Sequence, residues 1–364
     1  MTTILHTEAS MGFGGQEKRI IVEMENIARD KFKSILATRP GSKIGKRAEN
    51  LGYKVYYLKM RSSFDLSSVI KLISICKKEK VDIIHTHSSI DSWLGGFASK
   101  LYPRPWIIRT RHIGAKIGNR FVYTKLTDKI ITVSKNVKDY LASEGISRDK
   151  IIAIPTGVDT DRFNPELYDT RVRTEFGINE KMFLIGIIAV LRNKKGHRYL
   201  IKAIEKLKKG YPCIRLLIVG EGPQEGNLKA LIQEFNLEDT VIMTGNRQDI
   251  PQILKALDLF VLPSYEEALG TAIIEAQSMG KPVISTRAGG IPEIVKNGQT
   301  GLLTEPEDVD DLSKSIEKVV KDSTLAKRLG LKARQYIIDN YSQKVMISRI
   351  EEFYKKMINT EIGK

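Results

Sequence analysis

Glu267 and Glu275 stand on either side of Leu269-Gly270-Thr271, and a cation-rich stretch, Arg192-Asn193-Lys194-Lys195, lies upstream of them. A carboxylate accepts hydrogen bonds from the hydroxyls of a sugar or ribose, whereas a phosphate placed beside it is repelled. Cations at a helix entrance oppose the helix dipole and invite an anion. The two groups together suit a ligand that carries both hydroxyls and phosphate. Plainer readings exist: Glu267 as a charge on a helix start, Glu275 as an exposed helical residue, and 192–195 as a solvated basic turn.

Other stretches carry chemistry of the same kind. Met11-Gly12-Phe13-Gly14-Gly15-Gln16-Glu17 joins a strand to a helix, and Gly14 and Gly15 at that start let backbone N–H groups approach a phosphate. It is not a dinucleotide fingerprint, because Glu17 replaces the final glycine. His112 ends the strand-like run Arg109-Thr110-Arg111-His112, where a structural histidine is the plain alternative. His85 and His87 alternate onto one strand face without a third ligand evident in the sequence, and Asp159-Thr160-Asp161 has the spelling of a metal motif in a turn context. We expect no metal. Cys76 and Cys213 are read as packing residues rather than a disulfide or a zinc site.

The elements that must position these residues alternate between β-rich runs and amphipathic helical stretches. Strands are predicted at 3–8, 32–39, 54–60, 82–87, 106–112 and 129–134. The helices between them fall at 15–31, 66–80, 92–101 and 135–144, with Ser134 as a plausible N-cap. Turn residues cluster between Pro155 and Pro165, and a second series follows with strands at 183–191, 214–220, 240–244, 259–263 and 282–286. The expected fold is α/β, two Rossmann-like doubly wound domains, 1–165 and 166–364, facing each other across a cleft. The 308–358 stretch is helical in pattern, and the final helix is expected to return to the first domain. Ligands of such sheets bind beyond the carboxyl ends of the strands, where the loops above are placed.

At 364 residues, with 41% hydrophobic and 28% charged residues, the chain is of ordinary globular composition and exceeds one core. No apolar run reaches the roughly 20 residues of a membrane span, and the start lacks a signal-peptide pattern, so a cytoplasmic protein is expected. The net charge of +16 is uneven: 29 basic against 16 acidic residues through Pro165, then 30 against 27. That surplus suits an anionic membrane surface, and equally a solvated lysine-rich surface. A nucleic-acid-binding module is the alternative of another class, but few aromatics are interleaved with the charges, so no nucleic-acid partner is expected.

Spaced blocks in order resemble the family 4 glycosyltransferases: Leu262-Pro263-Ser264, Glu267-Ala268-Leu269-Gly270, Ile274-Glu275-Ala276, Gly280-Lys281-Pro282-Val283-Ile284 and Gly289-Gly290-Ile291-Pro292-Glu293. Val219-Gly220-Glu221-Gly222-Pro223 and Thr244-Gly245 support them. The resemblance implies the GT-B fold and sugar transfer with retained anomeric configuration from a nucleotide-sugar donor, with a UDP-sugar expected and no further cofactor. It implies that Glu267 and His112 face the transferred sugar. Lys195 holds the diphosphate, Leu269, Gly270 and Thr271 offer backbone groups, and Glu275 binds the ribose. Gly14, Gly15, Gly222, Gly245 and Asn246 complete the donor site. The family's diphosphate arginine falls at Val190 here, and Arg192 is carried over as its substitute; Ala268 and Thr156 stand where the family often has Gly and Asn. For retention, the resemblance points to same-face attack, the donor phosphate taking the acceptor's proton. The implied acceptor is a glycan or lipid-linked sugar in surface-polysaccharide or lipopolysaccharide synthesis, at the inner face of the cytoplasmic membrane. A nucleotide-sugar 2-epimerase of the same architecture is the competing enzyme.

Overall fold

The computed structural model describes residues 1–169 and 171–359. They form two compact units, Met1–Thr156 together with the chain from Lys344, and Gly157–Gln343.

The first unit alternates β1 (Thr2–Glu8), α1 (Gly15–Asn26), β2 (Phe32–Thr38), α2 (Lys43–Asn50), β3 (Lys54–Tyr57), α3 (Leu66–Glu79), β4 (Ile83–Thr86), α4 (Ser89–Leu101), β5 (Trp106–Arg111), α5 (Arg120–Thr124), β6 (Lys129–Thr132), α6 (Lys135–Ser143) and β7 (Ile151–Ala153). The strands are parallel, in the order β3-β2-β1-β4-β5-β6-β7. Helices on both faces explain why these strands read as apolar runs: Ile4, Leu5, Ile83 and Ile84 are fully buried. Chain order reverses between β1 and β4, so a crevice opens beyond their carboxyl ends. Ser134 accepts a hydrogen bond from the Val137 N–H and caps α6, as its position predicts.

The second unit holds α7 (Arg171–Glu175), β8 (Phe183–Ile188), α8 (His197–Lys208), β9 (Ile214–Val219), α9 (Glu225–Glu234), β10 (Val241–Gly245), α10 (Ile250–Ala256), β11 (Leu259–Leu262), α11 (Thr271–Ser278), β12 (Val283–Thr286), α12 (Ile291–Ile294), β13 (Leu302–Thr304), α13 (Val309–Lys321) and α14 (Ser323–Tyr341). Its parallel sheet runs β10-β9-β8-β11-β12-β13, with the reversal between β8 and β11. The two-domain α/β fold is therefore present, each sheet doubly wound.

The final helix, α15 (Gln343–Asn359), presents Met346, Ile350, Phe353, Tyr354 and Met357 at helical spacing to a core that includes Ile4, Phe32, Ile83, Ile108 and Ile131. Burying each such side chain contributes about 1.5–3 kcal/mol. The unit boundary lies at Thr156, ahead of the Pro165 expected. The reason is local: Val158 donates its N–H to the Tyr341 carbonyl and accepts from the Gln343 N–H, each at 2.8 Å, which ties the intervening stretch to the second unit.

Candidate active site

In the second unit, the loops leaving β8, β11 and β12 interlock. Gly196 has φ +76°, and a Cβ there would lie 1.9 Å from the Pro263 carbonyl oxygen, so glycine alone lets the 192–196 loop lean on the end of β11. The Tyr265 N–H donates to the Lys194 carbonyl at 3.1 Å. Lys195 Nζ then meets a Glu267 carboxylate oxygen as a direct ion pair, both side chains largely buried; Lys194 pairs with Glu266 at 3.0 Å. Gly289 makes the second close approach: its Cβ would sit 1.9 Å from the Glu267 carbonyl oxygen, which instead accepts the Gly290 N–H at 3.0 Å. The Gly289-Gly290 pair therefore fixes where Glu267 stands.

Helix α11 begins after Gly270, which brings no side chain to cap its first turn, while the Ile273 N–H bonds the Gly270 carbonyl at 3.0 Å. Leu269 is buried under that start, Thr271 is exposed, and Glu275 is half-buried on α11. Gly220 donates to the Gly245 carbonyl at 2.9 Å, Leu191 to the Glu221 carbonyl at 3.0 Å, and Asn246 to Glu221 Oε1 at 3.3 Å. Gly222, Gly245 and Asn246 are thus gathered around Glu221. Arg192 lines a cavity of about 200 Å³ with Arg198, Gln224 and Asn227.

In the first unit the strand ends hold a different chemistry. His6 on β1 aligns with His85 on β4. His6 Nδ1 lies 3.1 Å from His87 Nε2, and His87 Nδ1 lies 3.2 Å from His112 Nε2. His85 bonds the Tyr354 hydroxyl through Nδ1 and the Thr110 hydroxyl through Nε2, both at 2.6 Å. Burial holds all four imidazoles neutral, lowering His6 to about 3 and His85, His87 and His112 well below the usual range. Nearby Arg19, Arg109 and Arg111 reinforce the effect on His112.

The expectation that His85 and His87 lack a third partner is corrected, because pairing of β1 with β4 supplies His6, and one ligating atom of each ring lies within 4.8 Å of the others. Neutral imidazoles are competent metal ligands. However, both nitrogens of His85 are already engaged by hydroxyls, and the neighbouring Arg19 guanidinium opposes a dication.

Glu8, at the end of β1, accepts from the Ser10 N–H at 2.8 Å and from the Gln16 side chain. Burial, then the neighbouring Asp91, pushes its carboxyl up to about 8. The Gly14 N–H is taken by Glu17 Oε2 at 2.7 Å, so the glycine turn closes on its own carboxylate. His6, Glu8 and Asp91 escaped the sequence reading; for His6 and Glu8 the available signal was polar residues at the end of a strand that begins with the apolar Ile4-Leu5. Two further residues are settled locally. Asp159 accepts from the N–H groups of Asp161 and Arg162 as a turn cap. Cys213 is exposed, not packed, because it precedes β9 in a surface loop; Cys76 is buried.

Residues 13–162 match the family model described as Glycosyltransferase Family 4, and residues 169–336 match Glycosyl transferases group 1. The chain is 31% identical over 311 residues, covering 81% of itself and 80% of the relative, to an Escherichia coli UDP-Gal:alpha-D-GlcNAc-diphosphoundecaprenol alpha-1,3-galactosyltransferase. A solved glycosyltransferase from Rickettsia africae is similar in structure with a TM-score of 0.90, at 26% identity and 98% of each chain. Anabaena Alr3699/HepE, solved with UDP and glucose, shares the fold with a TM-score of 0.83, at 22% identity over 98% of this chain and 100% of its own. These likenesses are to transferases and give the 2-epimerase alternative no support.

Proposed function

The chain belongs to glycosyltransferase family 4, with the GT-B fold, and from that premise we propose that it moves a sugar from UDP to a polyprenyl diphosphate-linked sugar acceptor, with retained anomeric configuration, in surface-polysaccharide or lipopolysaccharide synthesis. The observation that carries this reading is the Lys195–Glu267 ion pair, held by three interlocked strand-end loops beside the uncapped start of α11. A nucleotide sugar needs both partners. Its diphosphate takes the Lys195 ammonium and the first N–H groups of α11, as Leu269, Gly270 and Thr271 present them. Its sugar hydroxyls take the Glu267 carboxylate, and its ribose takes Glu275.

Breaking the anomeric bond places charge on the departing diphosphate and on the sugar ring. Preorganised cations and helix-start dipoles stabilise the leaving group at no reorganisation cost. Glu267 lies opposite in charge to the ring that develops positive character. In the first unit we assign His112 the transferred sugar by family resemblance, and Gly15 rather than Gly14 a backbone role toward the diphosphate, because the Gly14 N–H is taken by Glu17. Arg192 is proposed as the second cation for the diphosphate, in place of the family's arginine, which falls at Val190 here.

Among the described residues no helix is long and apolar enough to cross a membrane. We assign membrane contact instead to the surface of the first unit, where Phe64, 70% exposed, packs its ring 5.7 Å from Trp93, and Leu66 and Ile70 are also exposed. The basic surplus of that half draws it to anionic headgroups on the cytoplasmic face.

Thermal stabilisation by UDP-, GDP- and ADP-sugars tests the donor, since a ligand raises apparent stability by mass action. UDP-sugars are expected to give the largest shift, and Glu275→Ala to weaken binding about 10- to 100-fold, in line with losing a charge-assisted hydrogen bond. A shift with GDP- or ADP-sugars alone would overturn the UDP assignment.

A further inference from the structure

We propose that His6 and His87 are positioning residues that fix the tautomer of His112 through an unbroken column of ring-to-ring hydrogen bonds. The inference rests on the reading of His112 as the residue facing the sugar, but the column itself stands on geometry.

Three adjacent strands place the rings. β1 carries His6, while His87 and His112 follow directly on β4 and β5, which pair in parallel. The contacts join His6 Nδ1 to His87 Nε2 at 3.1 Å and His87 Nδ1 to His112 Nε2 at 3.2 Å. The middle ring is also anchored through its backbone: the His87 N–H donates to Asp91 Oδ2 at 2.8 Å, and the same oxygen accepts the Thr7 hydroxyl at 3.0 Å.

Each nitrogen-to-nitrogen contact accommodates one hydrogen, and a neutral imidazole owns one N–H. Burial keeps the rings neutral, so the column has two internally consistent arrangements. In one, His6 donates from Nδ1 to His87, His87 donates from Nδ1 to His112, and His112 is left with its proton on Nδ1. In the other, all three carry the proton on Nε2 and His112 Nδ1 is an acceptor. Mixed arrangements leave one contact with two hydrogens or none, which in a dry interior costs a full desolvation penalty. The tautomer of His6 therefore dictates whether His112 Nδ1 donates to a substrate hydroxyl or accepts from it, although the two rings share no direct bond. His85 stands outside the column, both of its nitrogens being taken by Tyr354 and Thr110.

The chain has five histidines, so long-range proton–nitrogen NMR of the whole protein resolves every ring. The expected result is one shared tautomer for His6, His87 and His112. His6→Phe should move both ring nitrogens of His112 toward values averaged over two tautomers, leave His85 and His197 unchanged, and lower kcat about tenfold with the donor KM unaltered. His6→Asn, whose side-chain amide keeps His87 Nε2 partnered in either arrangement, should retain more of the rate than His6→Phe. Mixed tautomers in the wild type, a His112 spectrum indifferent to His6→Phe, or a stoichiometric metal ion bound to His6, His85 and His87 would each overturn the proposal. If His6→Phe fails to fold, the wild-type tautomers and His6→Asn still decide. Full transfer activity in His112→Asn would instead refute the reading of His112 and leave the tautomer result standing.

Discussion

The two units share a parallel, doubly wound sheet whose strand order reverses at corresponding places, between β1 and β4 and between β8 and β11, yet the two reversals are furnished differently. At the first stand buried neutral imidazoles and a carboxyl that burial pushes up to about 8, beside the buried Arg19 and Arg109 guanidinium groups. At the second stands a charged pair, Lys195 and Glu267, still partly open to solvent. One topology thus carries two kinds of site, because sheet order decides where a ligand lies while the side chains beyond the strands decide what it is. In physical terms the second unit is equipped to hold an anion, and the first to direct hydrogen bonds from neutral rings.

The largest expected effect follows from the charged pair. Lys195→Ala should lower kcat about 10²- to 10³-fold, the scale for removing one preorganised stabiliser of a leaving group, as initial rates of donor consumption with acceptor would show. The complementary change, His112→Ala, should lower kcat about 10²-fold while the affinity for UDP, measured by calorimetry, stays within about twofold. If UDP affinity fell with His112→Ala and survived Lys195→Ala, the division of labour would be reversed.

A third effect separates the units by pH. The folded pKa of His6 is depressed to about 3 from an ordinary 6.5, so its neutral burial contributes stability above pH 6.5 that is lost as pH falls toward 3. His85, His87 and His112 shift in the same direction. Glu8 works oppositely: its pKa is raised from 4.5 to about 8, so its contribution is present below 4.5 and lost as pH rises through 8. The second unit holds one histidine, His197, lowered by burial to about 4. Both tryptophans, Trp93 and Trp106, lie in the first unit, so their fluorescence reports that unit alone. On acidification from pH 6.5, the fluorescence transition should precede the main loss of far-ultraviolet circular dichroism; coincident transitions would break the contrast.

The smallest expected effect is at the surface. Phe64→Ser should weaken binding to vesicles of anionic lipid about tenfold, the scale of losing one inserted aromatic side chain, with kcat toward a soluble acceptor unchanged. Sedimentation with the vesicles at low salt measures it.

Much of this was legible in the sequence because it is local. The apolar runs gave the strands, Ser134 gave a cap, and Glu267, Glu275 and Lys195 stood in recognisable spacing. Short elements escaped: β7 and β13 are only Ile151–Ala153 and Leu302–Thr304, too brief for any period to emerge. The strand expected to run to residue 191 ends at Ile188, where the loop turns to bond Glu221. The histidine column was illegible for a different reason. His6 and His87 are brought together by strand pairing across distant segments, and nothing in either segment alone signals the other. Gly289 likewise showed as a motif, but its reason, the Glu267 carbonyl it must clear, is a tertiary one.

The most direct test of the account is to incubate the whole protein with a carbon-13-labelled UDP-sugar and a polyprenyl diphosphate-linked acceptor, and to read the anomeric coupling of the product by NMR. The account predicts an α-linked product from an α-linked donor, with UDP released in equal amount and no rearranged donor when the acceptor is left out. An inverted linkage, or conversion of the donor to its 2-epimer without acceptor, would contradict it.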